Sequence, residues 1–246
     1  MKGLGKLFCL LTCVYLSVGV LQAQLPLTDT ATAGVHKPRT DTTSSPAYRP
    51  PYFSAPRFTE RQLFAPGILV GSGVAMDLFQ GAKNTQLSFH RSHLADFHTA
   101  ADNILLYVPA VIPYGLDLMG IPSKTDVANR TAILIKAEIL VTATGYILKH
   151  SLHEWRPDGS NHYSFPSGHT LQAFATATLL SEEYRDTYKW MPYAAYGLAS
   201  GIGLLRLANN KHYLGDVLVG AGLGILSMKL SYWTHRYKWH KHKITD

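Results

Sequence analysis

The chain has 246 residues, 46% of them hydrophobic, and carries a net charge of +7 from 23 Lys and Arg against 16 Asp and Glu. That length leaves room for one sizeable domain with a tail. Both cysteines, Cys9 and Cys13, lie near the N-terminus, which excludes a disulfide framework or thiol chemistry in the rest of the chain. Much of the cationic excess is terminal, at Arg236, Lys238, Lys241 and Lys243, and no basic-aromatic recognition motif accompanies it, so nucleic acid is not an expected partner.

Taken in order, Lys2 and Lys6 precede an apolar run over 7–21, followed by Gln22-Ala23-Gln24. This is the order of a secretory signal peptide over 1–23 with cleavage after Ala23, the alternative being an uncleaved anchor. Residues 24–57 are rich in Thr, Pro, Ser and Ala and bury too little apolar surface to offset their ordering entropy, so a disordered linker is expected. Apolar segments then recur from 58 to 234, before a basic tail over 235–246. Helical periodicity and the absence of hairpin signals predict an all-α bundle of about six core helices, near 61–80, 98–120, 127–149, 168–183, 190–208 and 214–234, with an amphipathic piece near 85–97. Small residues such as Ala173, Ala175, Ala177, Gly197, Ala199, Gly201 and Gly203 favour close helix packing, in water or in lipid.

The apolar stretches are about long enough to cross a membrane but carry charges such as Asp117, Lys136 and Glu138. Five crossings, with 61–80 lying on the surface, would leave Lys124, Arg130 and the basic tail inside. Loops 149–165 and 206–213 would then face outward, as the positive-inside rule favours. The expectation is an inner-membrane protein with those loops toward the periplasm; the alternative is a soluble or peripheral helical domain.

Three clusters stand at helix edges: Lys149 with Arg156-Pro157, the tetrapeptide Pro166-Ser167-Gly168-His169, and Arg206 with His212 and Asp216. Each alone has a plain structural reading, as a C-terminal cap, an N-cap or a surface ion pair. Together they supply what a phosphate requires. Lys149, Arg156 and Arg206 neutralise its oxygens, and the helix opening at Ser167-Gly168 aims backbone N–H groups at them. Two histidines, His169 and His212, provide a nucleophile and a leaving-group acid, and Asp216 can fix an imidazole tautomer.

The three clusters resemble the signature of the type 2 phosphatidic acid phosphatase and vanadium haloperoxidase superfamily. Its pattern is K-x6-R-P, P-S-G-H and S-R-x5-H-x3-D, and the resemblance covers roughly residues 60–234. Leu205 stands where the family has serine. The resemblance implies an all-α phosphatase domain over 58–234 that needs no metal or cofactor. In it His212 attacks phosphorus, Asp216 orients His212 and His169 protonates the leaving oxygen. Lys149, Arg156, Ser167, Gly168 and Arg206 hold the phosphate. Export and apolar helices point to a lipid phosphomonoester or diphosphate as substrate, such as phosphatidate, phosphatidylglycerophosphate, polyprenyl diphosphate or lipid A. The alternatives within the superfamily are a soluble periplasmic acid phosphatase and a vanadate-dependent haloperoxidase. His90, His93 and His98 with Asp96 read as surface residues of an amphipathic segment rather than metal ligands, and His153 and His162 flank the site without a catalytic role.

Overall fold

A computed structural model describes residues 59–236, and every regular element among them is helical. In chain order these are α1 (Arg61–Leu78), α2 (Gln80–His93), α3 (Asp102–Leu105), α4 (Val108–Leu118), α5 (Val127–Leu152), α6 (Gly168–Tyr184), α7 (Met191–Ala208) and α8 (Leu214–Trp233). The expected signal peptide, the linker and nearly all of the basic tail lie outside the described residues.

The six expected helices and the amphipathic piece, found as α2 from Gln80, become eight because one expected helix is divided. Phe79 is extended (φ −89°, ψ 95°) and breaks the chain between α1 and α2, which meet at an 83° bend. The segment expected as one helix over 98–120 is interrupted before Pro109, which stands in the first turn of α4. Proline disfavours helical backbone in the preceding residue and has no N–H to donate, so a new helix starts there more readily than an old one continues.

Helix α8 packs mainly on α1 and α6, and α6 also on α7. Two glycine rows on α8 set this arrangement. Gly215 and Gly222 turn toward α1, where a Cβ at Gly222 would stand 2.7 Å from the Pro66 carbonyl oxygen. Gly220 and Gly224 turn toward α6, where a Cβ at Gly220 would stand 2.7 Å from the Ser167 carbonyl oxygen. Backbones this close gain dispersion contacts along their whole length. Between α6 and α7 the seam is filled by Ala173, Ala177, Leu180 and Tyr184 against Ala195, Ala199 and Ile202. At the end of the bundle holding the α4–α5 turn, buried Arg130 pairs with Asp117 and Ser123 and lies over the Tyr114 ring, while Glu183 accepts from the Thr125 amide at 2.8 Å.

Among the described residues two helices, α5 and α8, are long and apolar enough to cross a membrane, with α1 and α2 forming a third if the bent pair is one span. This is fewer than the five crossings expected: α4 is apolar but has 11 residues, and α6 ends in Glu182-Glu183-Tyr184. Helix α5 exposes Ile135, Ile139 and Tyr146 along one side, an apolar face suited to lipid.

The glycine rows predict a contrast. Gly220→Ala forces its methyl into the Ser167 carbonyl and should destabilise the fold by about 1–3 kcal/mol. Gly201→Ala, with open space around it, should be neutral or stabilising by up to about 1 kcal/mol. Thermal midpoints of the two variants check this; equal midpoints would contradict it.

Candidate active site

The expected site residues come together where α5 and α7 end and α6 and α8 begin. Lys149, in the last turn of α5, donates to the carbonyls of Tyr163 (2.7 Å) and Pro166 (2.8 Å), tying the loop that carries Pro166-Ser167-Gly168 to the helix end. Ser167 is the N-cap of α6, its Oγ 2.9 Å from Thr170 Oγ1. Its own amide donates to the Asp216 carbonyl at 3.0 Å, so the starts of α6 and α8 are joined directly. Gly168 and His169 follow at the first two helical positions, where amides precede the first intrahelical bond and serve anions well. A Cβ on Gly168 would meet nothing nearer than Lys149 Cε at 3.8 Å, so the space before it is open.

His212 lies in the turn between α7 and α8, and its side chain is 1% exposed. Its Nδ1 is 3.4 Å from Asp216 Oδ2 across one helical turn, leaving Nε2 for other chemistry. Asp216 Oδ2 also accepts from Ser164 Oγ (2.5 Å) and from the Tyr213 amide (2.8 Å), the second being the backward reach of an N3 carboxylate to its N-cap. Burial, reinforced by Lys149 and Arg206 against the opposing pull of Asp216, pushes the His212 ring down to about 4. His169 is lowered to about 4 as well, by burial first, then by Arg206, Arg156 and Lys149, with Asp102 opposing. Both rings are therefore neutral at neutral pH in the free protein. His169 Nε2 lies 2.7 Å from Asn103 Oδ1; an amide oxygen only accepts, which places the ring proton on Nε2.

Arg206 is buried at the end of α7 and pairs with Asp102, which is 0% exposed and is further held by Asn209 Nδ2 at 3.5 Å. The buried Nε atoms of both Arg206 and Arg156 have no hydrogen-bond partner, so each guanidinium has donor capacity in reserve. Two clefts flank these groups. The first, about 540 Å³, runs from Val141, Thr142, Gly145 and Tyr146 on α5 to Lys149, Gly168 and His169. The second, about 420 Å³, lies beside Arg206 and includes His98, Asn103 and Lys211. His212 lines neither cleft and sits beneath the cations.

Behind Asp216 lies a second layer. Oxygens of Asp77, Glu154 and Asp216 all lie within 4.8 Å of one another, and Lys83 pairs with Glu154 and, at 2.9 Å, with Asp77. The ammonium thus serves as the cation of this acidic group. Burial, then the facing Asp216 and Asp77 carboxylates, push Glu154 up to about 8 despite Lys83.

Residues 130–240 match the model of the PAP2 superfamily. Through that stretch the chain resembles the PAP2 superfamily. It is 38% identical over 140 residues to lipid A 1-phosphatase of Porphyromonas gingivalis, covering 56% of this chain and 31% of the relative. It is 36% identical over 72 residues to the bacitracin transport permease protein BcrC of Bacillus licheniformis, covering 29% of this chain and 33% of the relative. The chain thus spans about a third of the length of these curated relatives. Among solved structures it is similar to Aquifex aeolicus LpxE, with 26% identity, a TM-score of 0.44, and 59% of this chain on 93% of that one. It is also similar to the transmembrane PAP2 type phosphatidylglycerolphosphate phosphatase from Bacillus subtilis, with 19% identity, a TM-score of 0.45, and 69% of this chain on 94% of that one.

Several residues of this site were not singled out from the sequence: Asp102, Asn103, Ser164, Glu154, Lys83 and Gln86. Asp102 and Asn103 look like ordinary polar residues at a helix start, and Ser164 is close to the Pro-Ser-Gly-His motif but has no spacing signal. His90 corrects an expectation: it is buried rather than on the surface, with Nε2 3.0 Å from the Ala208 carbonyl, because α2 turns that face toward α7. His93 is exposed and stacks on Phe89, and His153 stacks on His162 at 5.3 Å beside the site.

The electrostatics make a prediction about ligand binding. A phosphate dianion offsets the charge of Lys149, Arg156 and Arg206, and those cations are what help hold both histidines neutral. NMR titration of His169 and His212 should give midpoints near 4 in the free protein, rising by about 1–3 pH units with saturating inorganic phosphate. Midpoints already near 6.5 without phosphate, or unmoved by it, would contradict the arrangement.

Proposed function

We propose that the chain is a phosphatase that removes phosphate from a membrane lipid through a phosphohistidine on His212, with its site on the periplasmic face of the inner membrane. The observation that carries this reading is the gathering of three cations and two histidines beside a cleft that Lys149 and His169 line and whose wall is α5, a helix able to cross a membrane. The 38% identity to a lipid A 1-phosphatase supports a lipid phosphate as the substrate class.

In the first step Nε2 of neutral His212 attacks phosphorus and a P–N bond forms. The bond to the ester oxygen breaks with its electron pair passing to that oxygen, which takes a proton from His169. In the second step His169 accepts a proton from water, the oxygen of that water bonds to phosphorus, the P–N bond breaks and inorganic phosphate leaves. His169 begins neutral in the free protein, so substrate binding supplies its proton affinity: the entering dianion offsets the surrounding cations. Asp216, 3.4 Å from Nδ1, is placed to accept a hydrogen bond from the Nδ1–H and stabilises the charge that develops on His212 without taking its proton. Lys149, Arg156, Arg206 and the amides at Gly168 face the developing phosphoryl charge, a stabilisation strongest in a water-poor site. The positive-inside rule supports this orientation: if the end of α5 that follows Lys124 is cytoplasmic, Lys149 at the other end is outside.

A phosphate-release panel on the full chain in detergent or vesicles tests this. Lipid A, phosphatidate, phosphatidylglycerophosphate and undecaprenyl diphosphate are compared with a soluble aryl phosphate. Burying even two methylenes in the cleft is worth about 1.6 kcal/mol, more than tenfold in kcat/KM. At least one lipid should therefore exceed the soluble ester by more than about tenfold, and His212→Ala should lose at least about 1,000-fold. A soluble ester hydrolysed as well as every lipid, or release of the protein by carbonate washing, would instead support a soluble acid phosphatase.

A further inference from the structure

Helix α2 lies outside the segment that matches the family, yet one face of it grips the loop carrying His212. Lys83, Gln86 and His90 follow each other at three- and four-residue spacing, which places them in one row. The Gln86 amide bridges the loop on both sides of Tyr213: Nε2 donates to the His212 carbonyl and Oε1 accepts from the Leu214 amide, both at 2.9 Å. One turn on, His90 Nε2 meets the Ala208 carbonyl where the loop begins. One turn back, Lys83 stands 5.0 Å from the Tyr213 ring centroid and pairs with Asp77 and Glu154.

The Lys83 end is connected to Asp216 in turn. The Glu154 carbonyl accepts from the Ser164 amide at 2.9 Å, and Ser164 Oγ donates to Asp216 at 2.5 Å. Asp216 is 0% exposed, its Oδ1 has no hydrogen-bond partner, and one of its oxygens lies within 4.8 Å of oxygens of Asp77 and Glu154. Three carboxylates this close share protons unless a cation lies among them. A protonated Asp216 would be a poor acceptor for the Nδ1 proton of His212.

We propose that α2 is a clamp on the nucleophile loop, in which Gln86 sets the position of His212 and Lys83 holds the Asp77 and Glu154 carboxylates that stand behind Asp216. Both are positioning residues that act through the loop and the carboxylates rather than by touching substrate. This rests on the reading of His212 as the nucleophile. The groups facing the carboxylate layer are Asp77 from α1, Lys83 from α2, Lys149 from α5, Glu154 and Arg156 from the α5–α6 loop, Arg206 from α7, and His212 and Tyr213 before α8. Of these, Lys83 is the cation paired directly with Asp77 and Glu154.

The test measures kcat, KM and pH profile per folded molecule on the full chain, with folding checked by circular dichroism and thermal midpoint. Gln86→Leu should lower kcat by about 100-fold, the cost of a small misplacement of a reacting group, while KM changes less than about threefold. Gln86→Glu, which keeps the acceptor for Leu214 and loses the donor to His212, carries the same test if the leucine variant does not accumulate. Lys83→Met should move the acid limb of the kcat profile up by about one pH unit or more, because the carboxylates then hold protons to higher pH. Lys83→Arg should restore the limb. Unchanged kcat and pH profile in folded Gln86 and Lys83 variants, alongside an inactive His212→Ala, would overturn the clamp alone. A fully active His212→Ala would overturn the nucleophile reading and the clamp with it.

Discussion

The hydrogen bond from the Ser167 amide to the Asp216 carbonyl joins the first turn of α6 to the first turn of α8, and the rest of the site is arranged around that junction. It can form only because Gly220 and Gly224 let the two helix backbones approach without side chains between them. Holding the helix starts together puts the α6 N-terminus, with its anion-seeking amides, beside the loop that carries His212. Lys149 then reaches across from the end of α5 to the carbonyls of Tyr163 and Pro166 and fixes the intervening loop. Fold and site are therefore one constraint: moving α8 away from α6 by the width of a methyl group would separate the anion cradle from the nucleophile.

Electrostatics supply the second constraint. A cluster of cations around two imidazoles is costly unless the imidazoles stay neutral, and burial together with Lys149, Arg156 and Arg206 keeps them so. A neutral His212 is a competent nucleophile, whereas an imidazolium is not. Asp102 offsets part of the Arg206 charge within a buried pair, and Lys83 does the reverse for the carboxylates behind Asp216. The arrangement alternates layers of opposite charge, from the Arg206 and Lys149 cations through Asp216 to Lys83.

Much of this was legible in the sequence, and for a physical reason. On the proposed reading, residues that act on a phosphate need a particular chemistry at a particular place on a helix end, which is why Lys149, Arg156, Ser167, Gly168, His169, Arg206, His212 and Asp216 stand at spacings a sequence can show. Supporting residues have looser requirements. Asp102 reaches Arg206 from a four-residue helix, and Gln86 reaches the His212 loop from 126 positions away; neither distance leaves a pattern along the chain. Helix existence followed from apolar periodicity, but the division of 98–120 depended on Pro109, and the bend at Phe79 had no residue to announce it. The burial of Arg130 and Glu183 likewise becomes legible only with their partners Asp117 and Tyr232.

The most direct measurement concerns where the phosphoryl group goes during turnover. Rapid quenching of the full chain with a lipid labelled in its phosphate, followed by peptide mapping, should place an acid-labile, base-stable phosphate on the peptide containing His212. In His169→Asn, which loses both the leaving-group acid and the base for hydrolysis, the label should form more slowly and, once formed, persist longer. Label on any other residue, or a complete absence of label in that variant while its turnover persists, would contradict the account.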